Sequence, residues 1–170
     1  DNGIIPFAPF LNPTEGMLDT GLKGELLFKK LCGGCHTMRG VNGLDTVFSS
    51  ADGKFAFSLV SKSTFMKAPM PPFPVKDDAA KAISDYIRSS VKTAPAHEDG
   101  PDVFRVRCAP CHNLGKRYRD LKVPLKGKNE KEIYQSIGAL DQMTESMPTF
   151  TGSEKERKLL ASYLAEETAK

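Results

Sequence analysis

Apolar side chains recur along this chain at helical spacing and strand signals are nearly absent, so the pattern predicts an all-α fold. A helix is predicted from about Thr20, with Leu27, Phe28 and Leu31 as its buried stripe. Residues 37–53, rich in Gly, Asn, Asp and Ser, read as loop, and a short helix follows around Phe55 to Ser61. Asp77 to Ser90 carries Ala79, Ala80, Ile83, Tyr86 and Ile87 on one face, while Asp77 and Asp78 suit the positive end of that helix. The next helix opens at Gly100-Pro101, proline being well placed in a first turn, and runs through Phe104. Residues 113–128 read as a basic loop. Asn129 and Glu132 have the spacing of a capping pair before a helix reaching about Leu140. Ser153 and Glu156 repeat that spacing before a last helix that buries Leu159, Leu160, Tyr163 and Leu164.

The pattern occurs twice. Gly24-x-x-Leu27-Phe28 is answered by Gly100-x-x-Val103-Phe104 at an offset of 76. Met66-x-x-x-Met70-Pro71-x-Phe73 is answered by Met143-x-x-x-Met147-Pro148-x-Phe150 at an offset of 77, and the register holds through Ile83 and Leu160, Tyr86 and Tyr163, Ile87 and Leu164. Two copies of this length imply two domains, since a solenoid needs at least three units. The expected organisation is an N-terminal extension (1–19), a first domain (20–92), a linker (93–99) and a second domain (100–170). Phe7, Phe10 and Leu11 of the extension are expected to pack along the folded body.

Composition narrows the picture little. A chain of 170 residues with 39% hydrophobic content is ordinary globular material, and a formal charge of +3 is too mild to argue for nucleic acid. The most apolar run, Ile4 to Leu11, is too short and too broken by proline to span a bilayer. No basic segment, apolar run or initiating Met precedes Asp1, which reads as the start of a mature or trimmed chain.

The chemistry lies in two pentapeptides, Cys32-Gly33-Gly34-Cys35-His36 and Cys108-Ala109-Pro110-Cys111-His112, which hold all four cysteines. C-x-x-C-H is the attachment signature of c-type haem. Cysteines three apart lie on one face of a helix, so their sulfurs reach both vinyl groups of one porphyrin, and the histidine that follows is placed to ligate the iron. A zinc site of four cysteines is the alternative, but it needs no histidine after each pair. The pattern implies two covalently attached haem c groups.

The second axial ligand must come from elsewhere. His97, the third histidine, sits beside Glu98 and Asp99 in the linker and reads as solvated. Methionine fits better: Met70 lies 34 residues after His36, and Met147 lies 35 after His112, each followed by a proline that stiffens its loop. Met66 and Met143 repeat equally well; they read, with Met17 and Met38, as core filling. The expected iron ligands are therefore His36 and Met70 in the first half, His112 and Met147 in the second.

On these residues, Phe28-x-x-x-Cys32-x-x-Cys35-His36 with Met70-Pro71, and the equivalent run from Phe104 to Pro148, the chain resembles diheme cytochromes c built from two tandem class I-type domains. The resemblance covers the chain after about residue 20. It implies packed helices around each haem, with the first and last helices of each domain crossing, and maturation outside the bacterial cytoplasm, in the periplasm or otherwise exported. It also implies a proline carbonyl that accepts a hydrogen bond from the ligand histidine. Pro124 fits that role in the second half, whereas the first half has Phe48 at the matching position. The function expected is a one-electron carrier or relay between redox partner proteins and not an enzyme. The alternative is a diheme peroxidase or small sulfur-compound oxidoreductase with one displaceable ligand. Between 105 and 128, Arg105, Arg107, Lys116, Arg117, Arg119, Lys122, Lys126 and Lys128 face a single acid, Asp120. Part of that surface is expected to rim the second haem and steer an acidic partner.

Overall fold

Glycine is demanded at two places because two pairs of helices cross almost backbone to backbone. In a computed structural model, which describes residues 20–66, 70, 75–93, 97–116 and 118–170, α1 (Thr20–Leu31) crosses α4 (Asp77–Ser90), and α5 (Gly100–Arg107) crosses α9 (Glu154–Ala169). A Cβ on Gly24 would lie 2.3 Å from the Ala82 carbonyl oxygen and 2.8 Å from Tyr86 Cβ. One on Gly100 would lie 2.3 Å from Tyr163 Cβ and 2.5 Å from the Leu159 oxygen. One turn further on, Phe28 meets Tyr86 with ring centroids 5.6 Å apart, and Phe104 meets Tyr163 at 5.9 Å, both tilted as aromatic pairs prefer. The two crossings thus share one packing device.

The chain divides into two compact units, Asp1–Thr64 with Pro71–Ala94, and Phe65–Met70 with Pro95–Lys170. In the first unit α3 (Gly53–Ser61) packs against α4. Asp52 caps α3 by accepting from the N–H groups of Lys54 and Phe55 at 2.8 and 2.9 Å. Leu27, Phe28, Phe55, Ala56, Leu59, Ala79, Ala80, Ile83 and Ile87 are buried there. Arg88 donates through Nε to the Ala51 carbonyl at 3.1 Å.

In the second unit α7 (Glu130–Gly138) and α6 (Lys122–Leu125) pack against α9 around Val103, Leu125, Ile133, Ile137, Leu160, Ala161 and Leu164. Burying each large aliphatic side chain of this core contributes about 1.5–3 kcal/mol. Both expected capping boxes form, Asn129 with Glu132 and Ser153 with Glu156. Arg157 fixes the end of α7: its Nε and Nη2 donate to the Tyr134 carbonyl at 2.9 and 2.7 Å, and its guanidinium stacks 3.9 Å above that ring.

The segments expected as plain loop hold more structure. Asp45–Phe48 forms α2, anchored by buried Phe48, and α6 is anchored in the same way by Leu125. A four-residue α8 (Leu140–Met143) precedes the second methionine loop. Among the described residues there is no strand, only isolated bridges joining Thr37 to Gly43 and Asn113 to Asp120. No described helix is long and apolar enough to cross a membrane. The 1–19 extension with its aromatic residues, Ala94-Pro95-Ala96 of the linker, Pro71 to Phe73, and Arg117 lie outside the described residues.

Candidate metal centres

Each cysteine pair sits where a helix runs out, and the backbone turns in the same way at both. After α1, the Cys32 and Gly33 N–H groups both donate to the Phe28 carbonyl at 2.8 Å. Those of Cys35 and His36 then donate to the Cys32 carbonyl at 3.1 and 2.9 Å. After α5, Cys108 and Ala109 share the Phe104 carbonyl at 2.9 and 2.8 Å, and Cys111 and His112 share that of Cys108 at 3.0 and 2.8 Å. One further turn of backbone therefore carries two cysteines and a histidine in each half. None of the four cysteines is in a disulfide. Burial pushes the Cys32 thiol up to about 11 and that of Cys108 up to about 12, with Cys111 adding to the latter.

The histidines are oriented by the loops that follow. His36 Nδ1 lies 3.2 Å from the Asn42 carbonyl oxygen, and His112 Nδ1 lies 3.4 Å from that of Arg119. A carbonyl only accepts, so each contact calls for the proton on Nδ1, the tautomer in which Nε2 is the atom that would ligate a metal. Both carbonyls belong to residues with left-handed backbone, Asn42 at φ 53° and Arg119 at φ 50°. Asparagine tolerates that region; for arginine it is strained, and the surrounding bonds must hold it. In the first loop Thr37 Oγ1 donates to the carbonyls of Arg39 and Val41 at 2.9 and 2.8 Å. In the second, Asn113 Nδ2 donates to the Tyr118 carbonyl at 2.8 Å, and Asp120 accepts from the N–H groups of Gly115 and Lys122 at 2.8 and 2.9 Å. Pro124, where an acceptor for His112 was expected, lies exposed within α6. The orienting partner of His36, which sequence reasoning left without a candidate, is Asn42.

The methionines divide. Met147 is half-buried, its N–H donating to the Thr144 carbonyl at 3.2 Å, in a loop where Thr149 Oγ1 donates to Asp141 at 3.3 Å. Met70 is half-buried as well, but it falls with Phe65 in the unit that carries the second motif and not with His36. Met143, read as core filling, is 47% exposed at the end of α8, whereas Met66 and Met38 are half-buried. His97 also departs from expectation: its Nε2 is buried, with no hydrogen-bond partner among the described residues, so solvent does not satisfy it.

These residues fit covalent haem. Beside Cys108, the side chains of Phe104, Leu114, Leu121 and Phe150 pack on the core while staying half-exposed, an apolar rim suited to a flat group with one edge near solvent. The zinc alternative lacks its cluster, because no three or more His, Cys, Asp or Glu side chains among the described residues converge to hold an ion. Residues 95–164 match the family model described as Cytochrome C oxidase, cbb3-type, subunit III. The match supports a c-type cytochrome. Such a cytochrome domain implies covalently bound haem c and an electron-transfer role, and the helical, strand-free fold of the described residues is consistent with it. No curated protein matches the chain.

The basic surface expected beside the second motif is smaller than its sequence count. Arg107 is not on it: the guanidinium turns inward to Glu156, and both side chains are only 7% exposed. Arg105 is paired with Asp102 at 2.9 Å. Lys116, Arg119, Lys122, Lys126 and Lys128 remain at least partly exposed.

Proposed function

We propose that this protein is a diheme c-type cytochrome of two tandem domains that relays single electrons between redox partners. Cys32 and Cys35 would hold one haem c, and Cys108 and Cys111 the other, through thioethers. His36 with Met70, and His112 with Met147, would supply the axial ligands. The observation that carries this reading is the duplicated turn, in which a pair of sulfurs and an Nδ1-bonded imidazole recur in both halves.

Bound haem c supplies an iron that gains or loses one electron. The protein's part is to keep everything else still. The Nδ1–H bond to a backbone carbonyl fixes the imidazole plane and strengthens Nε2 as a donor. A neutral thioether from Met70 or Met147 would favour the ferrous state relative to a second imidazole. Apolar neighbours such as Leu114, Leu121 and Phe150 disfavour the extra positive charge of the oxidised centre. Redox partners, and acidic ones in particular, would dock by the lysines of 116–128, and the match to an oxidase subunit family supports an oxidase complex as the setting. Thioether attachment of haem would put maturation in the periplasm or another exported compartment, as the resemblance to c-type cytochromes implies. The enzyme alternative turns on one iron with a displaceable ligand, and Met70 is the residue on which it rests.

The test is a potentiometric titration of matured protein followed by visible spectroscopy, with Met70→Ala and Met147→Ala alongside. Two haems per chain are expected, and each variant should lower one potential and open one iron. A single haem per chain, or variants that leave the spectrum and both potentials unchanged, would overturn the reading.

A further inference from the structure

We infer that Arg107 is a positioning residue that locks the Met147 loop of the second half to the helix leading into Cys108, through residue types that the first half does not carry at the matching positions. Arg107 ends α5, immediately before the motif. Its Nη2 donates to Glu156 Oε2 at 3.4 Å, its Nη1 donates to Thr151 Oγ1 at 3.3 Å, and its guanidinium carbon lies 6.0 Å from the centre of the Phe150 ring. Glu156 is held in turn by the Ser153 N–H at 2.8 Å. One side chain thus ties together the end of α5, the loop three and four residues beyond Met147, and the first turn of α9. Gly152 is part of the fit, because a Cβ there would meet the Phe150 ring at 2.6 Å and Glu156 Oε2 at 2.7 Å.

The internal repeat supplies the second line of support. At the same register the first half has Leu31 for Arg107, Pro74 for Thr151, Val75 for Gly152 and Ala79 for Glu156, while Phe73 matches Phe150. Every polar member of the brace is apolar or proline in the first copy, and glycine is replaced by valine where no carboxylate has to be accommodated. The positions have changed as a set, as residues that act together do. A buried guanidinium–carboxylate pair is a weak source of net stability, but its bonds are directional, and direction is what holding a sulfur at an iron requires. The second haem's methionine is therefore harder to displace than the first's.

This inference rests on the assignment of Met147 as ligand, and the experiment separates the two. Matured protein is compared with Thr151→Val, which removes one bond and leaves no charge behind, and with R107L/E156Q, which takes Leu from the first half and keeps an acceptor for the Ser153 N–H. Hydrogen exchange of amides 144–152 and the rate of cyanide binding to each ferric haem are measured. Both variants should speed exchange in 144–152 and cyanide binding at the second haem by about tenfold, the effect of losing a hydrogen bond to a charged group, with the first haem unchanged. If Met147→Ala itself leaves cyanide binding unchanged, the ligand assignment fails and this inference falls with it. If Met147→Ala speeds binding while the other two variants alter neither readout, the brace alone is overturned.

Discussion

Gly100→Ala should loosen the second unit by about 2–3 kcal/mol, toward the upper end of the range for overpacking. The added Cβ would stand 2.3 Å from Tyr163 Cβ and 2.5 Å from the Leu159 oxygen. Ordinary contacts of these kinds are about 3.5–4.0 Å, so the overlap exceeds an ångström. Neither neighbour is the far end of a flexible side chain, so relief requires α5 and α9 to separate. Separation also pulls Phe104 from Tyr163, whose rings are 5.9 Å apart, a contact worth about 0.5–1.5 kcal/mol. The opposing gain from replacing glycine in a helix is at most about 1 kcal/mol, and smaller here because Gly100 opens α5. Native-state hydrogen exchange is the suitable assay, since it reads each unit separately: the slowest amides of α5 and α9 should exchange roughly thirty- to hundredfold faster. Gly53→Ala is the control, with only Arg88 Nη1, the end of a flexible side chain, within 4 Å of its Cβ at 3.4 Å and an expected change within about 0.5 kcal/mol. Protection in Gly100→Ala equal to that of the control would refute the close-crossing account.

Three further outcomes follow from the geometry. Asn42→Val forces a β-branched residue into the left-handed backbone that presents a carbonyl to His36. It should cost about 1–3 kcal/mol and shift the potential of the haem proposed for the first half, while Asn42→Gly leaves both unchanged; redox titration of the two variants decides. Lys23 holds the Asp78 carboxyl below its usual range against a smaller opposing effect of burial. The folded value lies below the unfolded one, so this contribution is present above about pH 4 and is lost as pH falls through the depressed folded value. With Asp78 67% exposed, solvent screening limits the effect of Asp78→Asn to about 0.5 kcal/mol, and acid-unfolding curves of the two proteins should converge below that range. Electron exchange with an acidic partner should slow as ionic strength rises and slow further in Lys122→Gln and Lys126→Gln; a rate indifferent to salt removes the steering role of 116–128.

Periodicity alone located the long helices because each sets its buried residues at helical spacing: Gly24, Leu27 and Phe28, Ala79 to Ile87, Leu160, Ala161 and Leu164. The cysteine motifs and capping boxes were legible because their chemistry depends on spacing a few residues long. Helices α2 and α6 were not, since a four-residue turn fixed by one side chain, Phe48 or Leu125, leaves no period to read. Nor did the basic run reveal that Arg107 faces inward, because charge in a sequence carries no direction.

What the sequence by itself determined is local: which residues form helices, where sulfur and imidazole sit along the chain, and that the C-x-x-C-H motif occurs twice. Only the tertiary structure decided which carbonyl meets each histidine, that Gly24 and Gly100 are crossing points, and that Arg107 and Glu156 find each other across 49 residues. The division has one physical cause. Helix propensity and motif spacing act within a turn or two of backbone, whereas hydrogen bonds between distant segments form only once burial has brought them together and excluded the water that would otherwise satisfy them.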